Sequence, residues 1–160
     1  MGKSTLAIMS AVVGSIAVLA SADGHISDKQ IAAAIKARQS QMQLHAFNLG
    51  LLGAMAKQET PYDAAAASGA ADNLAALASM LSQSGYWLPG SDSDSVEGTR
   101  ALPAIWASDS KIGEKGKDFV DAALAMQSAA GTDLGALQTA MGAVGKSCGG
   151  CHESYRKPKG

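Results

Sequence analysis

Cys148-Gly149-Gly150-Cys151-His152 holds both cysteines of the chain and one of its three histidines, and it ends eight residues before the C-terminus. Cys-x-x-Cys-His is the attachment signature of a c-type haem. On a helix, positions three and four apart share a face, so Cys148 and Cys151 can offer sulfur to one flat ligand. His152 stands four residues after Cys148, which lets its imidazole reach the iron of that ligand. Two thioethers and one axial nitrogen would hold the ring against the helix. Three other readings use the same residues. A zinc site needs about four protein ligands, and only His25 and His45 could be added. A thioredoxin-like dithiol expects a βαβ surround, and nothing in the chain reads as strands. A structural disulfide is the last.

The rest of the chain must carry and export that motif. Its 160 residues are one domain's worth. Lys3, the apolar run over residues 6–19 and Ala20-Ser21-Ala22 form a secretory signal with an Ala-x-Ala cleavage site. Cleavage after Ala22 would leave 138 residues. The apolar run is short for a membrane span of about 20 residues. Haem attachment of this kind takes place outside the bacterial cytoplasm, so signal and motif agree on the periplasm. Without Lys3 there are twelve basic and fourteen acidic residues, which is not the charge of a nucleic-acid-binding protein. No membrane association is expected after signal removal. Aromatic residues are only 4%, and alanine is abundant, favouring close-packed helices over a sheet. No nucleophile–base constellation or paired-carboxylate motif points to an enzyme.

Four helices are expected, in an all-α antiparallel up-down bundle over residues 23–160. Ser27 with Gln30 forms a capping box for the first. Its stripe is Ile31, Ile35, Arg38, Met42, His45, Leu49, Leu52 and Ala56, stepping by four and three. Arg38 and His45 are polar interruptions on either side of Met42. A second seam runs Leu44, Phe47, Leu51, Met55 and suits a neighbouring helix or a second subunit. Gly50 and Gly53 suggest close packing. Asp63 caps a second helix over 63–84, approaching its partner closest near Ala67. Residues 85–101 form a loop whose Tyr86 and Trp87 tuck onto the bundle end and whose 91–95 run is solvated. A third helix is expected over 103–130 and a fourth, capped by Asp133, with the stripe Leu134, Leu137, Met141, Val144, Cys148, Cys151, Tyr155. Arg156, Lys157 and Lys159 follow, where basic charge complements the helix dipole. In an up-down bundle the end of the fourth helix lies beside the N-terminal half of the first. Haem on Cys148 and Cys151 would then turn its free face toward Met42.

The chain resembles the cytochrome c′ family in several blocks. They are Ala37-Arg38-Gln39-Ser40 with Met42, Pro61-Tyr62-Asp63, residues 99–106 ending in Ala104-Ile105-Trp106, Glu114-Lys115-Gly116-Lys117, and residues 144–156 around the haem motif. The resemblance implies one covalently bound haem c, with Cys148 and Cys151 as thioether cysteines and His152 as proximal iron ligand. It implies Arg156 beside the proximal face, Arg38 near the haem propionates, and Met42 at the distal position. There the family divides. A low-spin branch uses methionine as sixth ligand, which suits electron transfer with redox partner proteins. Five-coordinate, high-spin members bind NO or CO, for gas storage or protection against nitrosative stress. The resemblance also implies a homodimer through the first helix.

Overall fold

The computed structural model describes residues 26–82 and 84–159. The expected signal segment and His25 lie outside them. Helix α1 spans Asp28–Ala56. Ser27 opens it with both halves of the capping box: the Gln30 N–H donates to Ser27 Oγ at 3.4 Å, and the Ser27 N–H donates to Gln30 Oε1 at 2.9 Å. Helix α2 spans Ala64–Ser79, with Asp63 Oδ1 accepting from the Ala65 and Ala66 N–H groups. Helix α3 spans Ile112–Ala129 and α4 spans Leu134–Tyr155, the latter capped by Asp133. These caps satisfy N–H groups that a helix leaves unpaired at its start.

Two expected boundaries are corrected. The second helix stops at Ser79 instead of 84. Gln41 Nε2 donates to Leu77 O in its last turn, and Trp87 Nε1 to Leu81 O just beyond its end. The third helix starts at Ile112 and not near Pro103, where only a 3₁₀ turn, Pro103–Trp106, forms. The preceding residues are extended and paired with the chain just after α4. Leu102 N–H donates to Tyr155 O, Lys157 N–H to Arg100 O, and Arg100 Nε to Lys157 O. Tyr155 Oη then accepts from the Lys111 N–H at 2.8 Å, where α3 begins.

The four helices pack as a square, each against two neighbours. Side-chain contacts establish the antiparallel order around it. Gln41 and Asn48 of α1 meet Leu77 and Asn73 of α2. Gln127 of α3 bonds Asp72 of α2. Near Gly131 an added Cβ would come within 2.1 Å of Ser68 Oγ. Gly53 of α1 lies against Met141 of α4, and Gln138 Nε2 donates to Ala56 O. Gly50, by contrast, has nothing near it, so the close packing expected there is absent.

The apolar core fills one half of the bundle. Leu52, Leu74, Met126, Leu137 and Val144 are fully buried, and most of the remainder is alanine: Ala67, Ala70, Ala71, Ala78, Ala122, Ala123, Ala130 and Ala140. Small residues let the helix axes approach closely, and Phe119 is the one aromatic ring among the buried core residues. Such a core has no room for added volume. Ala123→Leu, at a position with no exposure, is expected to lower stability by about 1–3 kcal/mol. Leu124→Ala, at a neighbour that is 48% exposed, is expected to stay within about 0.5 kcal/mol of the parent. Urea unfolding of the two variants checks the contrast.

Candidate functional site

Cys148, Cys151 and His152 occupy the last two turns of α4, each half-buried. Both cysteines are free. Burial pushes the Cys148 thiol up; it also raises Cys151, along with the neighbouring Cys148, while Lys115 and Arg156 pull Cys151 down. Neither is the low-pKa thiol on which dithiol redox chemistry depends. The His152 imidazole is lowered by burial and by the charges of Arg156 and Arg100. It is neutral at neutral pH, the form that ligates metal.

The apolar interior of the bundle stops just short of these groups. Val144 is the last buried residue of α4, and Phe119 is the first of α3. Beyond them, the interior side of α4 offers two thiols and a neutral imidazole within one turn. That set fits a flat apolar group held by two sulfur bonds and one axial nitrogen.

Helix α1 is one of the two neighbours of α4. Gln138–Ala56 and Met141–Gly53 give the same antiparallel register between α4 and α1. Carried along both helices, this register puts Met42 level with His152 and His45 level with Gly149, beside Cys148. Met42 is 37% exposed, so its thioether is not packed into the bundle core. The buried line of α1 runs one position to the side of the expected stripe. Gln41 and Asn48 are buried, with Arg38, His45 and Leu52, while Met42 and Leu49 are not. Gln41 and Asn48 are drawn in because their amides find partners on α2 or on α1 itself. No sequence period signals this, since both residues read as surface.

Arg38 is 6% exposed and serves the long connection. Its guanidinium donates to Tyr86 O, Ser91 Oγ and Ser91 O, and lies 5.1 Å from the Trp87 ring and 5.9 Å from that of Trp106. Ser91 and Asp92 are buried as a result, which corrects the reading of 91–95 as wholly solvated. Among the described residues Arg38 has no carboxylate partner. Arg156 stands with Arg100, His152 and Glu153 around a cleft of about 360 Å³ beside the end of α4. Arg100 was not singled out from sequence: only the long-range pairing with residues 155–157 brings it there. His45 is 5% exposed, edge-on to Phe119 with ring centroids 5.1 Å apart, and neither ring nitrogen has a partner.

An all-α bundle whose last helix carries a Cys-x-x-Cys-His motif has the attachment signature of a c-type haem protein. A family model for cytochrome C′ matches residues 33–156. Cytochrome c-554 of Cereibacter sphaeroides is 50% identical over 129 residues, covering 81% of this chain and 96% of the relative. The solved cytochrome c′ from Rhodobacter sphaeroides superposes with a TM-score of 0.77 at 38% identity, over 81% of this chain and 98% of the other. The nitric oxide complex of a mutant cytochrome c prime from Alcaligenes xylosoxidans superposes at 0.69 with 33% identity, over 80% and 97%. This chain belongs to the cytochrome c′ family, whose members carry one covalently attached haem c.

Burial lowers the His45 pKa from 6.5 to about 4. The unfolded chain therefore takes up a proton on His45 before the folded protein does, so stability is full above 6.5 and falls as pH drops toward 4. In His45→Leu this part of the acid loss should vanish. Thermal midpoints of holo-protein and variant across that range check it, and parallel profiles would remove His45 as the cause.

Proposed function

We propose that this chain is a periplasmic electron-transfer protein. Residues 1–22 act as the export signal, and residues 23–160 form the mature bundle. Cys148 and Cys151 bind the haem through thioethers, His152 is the proximal ligand and Met42 the sixth. The observation that carries this reading is the register between α1 and α4, which sets Met42 level with His152. When bound, haem supplies a one-electron iron couple, and His/Met ligation raises its potential. The protein's own part is to hold both axial groups on rigid helices, so that little must move when the electron arrives.

Arg38 is a buried cation without a counter-charge, which makes it a suitable neighbour for the carboxylates at the haem edge. Arg156, with Arg100, sets positive charge beside His152. Together with Lys157 and Lys159 these residues give the exposed end a basic face, toward which an acidic surface of a redox partner would be steered. No helix among the described residues is long and apolar enough to cross a membrane.

A second reading, binding of NO or CO at a five-coordinate iron, is favoured by the nitric oxide complex of the Alcaligenes relative. Met42 would then be a bulky lid over the distal side. The absorption spectrum of the purified holo-protein separates the two. Met42 ligation predicts a low-spin spectrum with a weak far-red sulfur-to-iron band, no prompt response to CO, and loss of that band in Met42→Ala. A high-spin spectrum that shifts at once with CO would transfer the assignment to gas binding.

Leu44, Phe47 and Leu51 line the outer face of α1 at exposures of 51%, 63% and 46%. This stripe is the surface for a homodimer through α1. Replacing Phe47 and Leu51 with Glu is expected to convert a dimer to a monomer in sedimentation equilibrium while leaving the haem spectrum unchanged. An unchanged mass would place the stripe outside any interface.

A further inference from the structure

His45 is the least satisfied polar group among the described residues. Its imidazole is 5% exposed, and both nitrogens lack a hydrogen-bond partner. Buried polar groups are nearly always paired, so an orphaned one calls for a cause. The neighbours of His45 along the buried line of α1 are all satisfied: Arg38 by Tyr86 and Ser91, Gln41 by Leu77, Asn48 by Leu44 and Asn73. The cause is therefore particular to the place where His45 stands.

That place is next to the haem-binding turn. The α1–α4 register sets His45 level with Gly149, between the two thioether cysteines. It follows Met42 by three residues, about 4.5 Å along the axis and on the same side of the helix. Side chains on a helix lean toward its N-terminus. The His45 ring thus leans toward the level of Met42, and the His152 ring leans toward the level of Cys148. The two imidazoles are drawn toward one another from opposite walls. The ring meets Phe119 only by its edge-to-face contact, with no hydrogen bond to hold it there. Burial also keeps it unprotonated, and a neutral imidazole nitrogen is a good ligand for haem iron.

We propose that His45 is a second, latent distal ligand, whose imidazole takes the iron opposite His152 when the Met42 sulfur is absent or displaced. The chain would then hold two alternative sixth ligands on one face of α1. No electron or proton is gained or lost in the exchange: one neutral donor replaces another. The inference rests on haem being held by Cys148, Cys151 and His152; it does not require that Met42 ligate in the parent.

The test compares holo Met42→Ala with holo Met42→Ala/His45→Leu by ferric electron paramagnetic resonance, near-infrared magnetic circular dichroism and CO mixing. Met42 is already partly exposed, and alanine is the best helix former, so the single variant is expected to fold. Far-ultraviolet circular dichroism verifies this, and Met42→Ser with its own His45→Leu partner replaces the pair if haem loading fails. The expected result is a low-spin spectrum with two imidazole ligands in the single variant, slow to take CO. The double variant should be high-spin and take CO at once. If the single variant is high-spin, or if its low-spin signal survives the loss of His45, the proposal is overturned. The parent spectrum tests Met42 ligation separately, so failure of one reading is distinguishable from failure of the other.

Discussion

The antiparallel register between α1 and α4 is the constraint on which the site depends. It is held at one end of the pair, where Gln138 reaches the Ala56 carbonyl and Gly53 leaves room for Met141. Extended about four turns along both helices, it would set which residue of α1 stands level with His152. A slip of one residue would rotate the facing side chain by about 100° around a helix of 3.6 residues per turn. It would bring Gln41 or Gln43 to that level in place of Met42. The chemistry at one end of the bundle is thus aligned by packing at the other, where the core of alanine, leucine and valine is fully buried.

Around that alignment the molecule divides into two halves of different character. The half with Leu52, Leu74, Met126 and Leu137 is a small-residue core that needs no cofactor to be close-packed. The other half contains the thiols, the imidazoles and the buried polar line of α1. Arg38 there has a structural role: it gathers the Tyr86–Ser91 stretch and two tryptophan rings onto the bundle. The extended pairing of residues 100–102 with 155–157 ties the same connection to the end of α4. The second fastening brings Arg100 beside His152.

The charges near His152 act in one direction. Burial and the charges of Arg156 and Arg100 all disfavour a protonated imidazole, so His152 presents a neutral ring. On α1 the character is different, with the partly exposed Met42 thioether and the buried His45 imidazole, whose nitrogens have no hydrogen-bond partner. In the electron-transfer reading proposed above, His152 is the constant ligand and the position opposite it is the one that varies. Electron carriage and gas capture differ in that opposite position, which is why Met42 bears most of the functional question.

The local sequence determined the haem motif, the all-α composition, the capping residues Ser27, Asp63 and Asp133, and the fourth-helix stripe that aligns Cys148 with Cys151. These are short-range signals: a cap bonds within three residues, and a stripe follows from helical period. Three members of the expected second seam, Leu44, Phe47 and Leu51, were legible as exposed for the same reason, while its fourth, Met55, is buried in the core. Tertiary structure decided the rest. Helix α2 ended at Ser79, where Gln41 of α1 bonds the Leu77 carbonyl, and residues 100–102 paired with 155–157 instead of opening α3, although Pro103 reads as a helix start. Burial of Gln41 and Asn48 in place of Met42 and Leu49 followed from partners on α2 that no period in α1 encodes. The orphaned state of His45 depended likewise on what three other helices did and did not place around it. Such outcomes rest on contacts between residues far apart in the chain, and only the packed bundle brings those residues together.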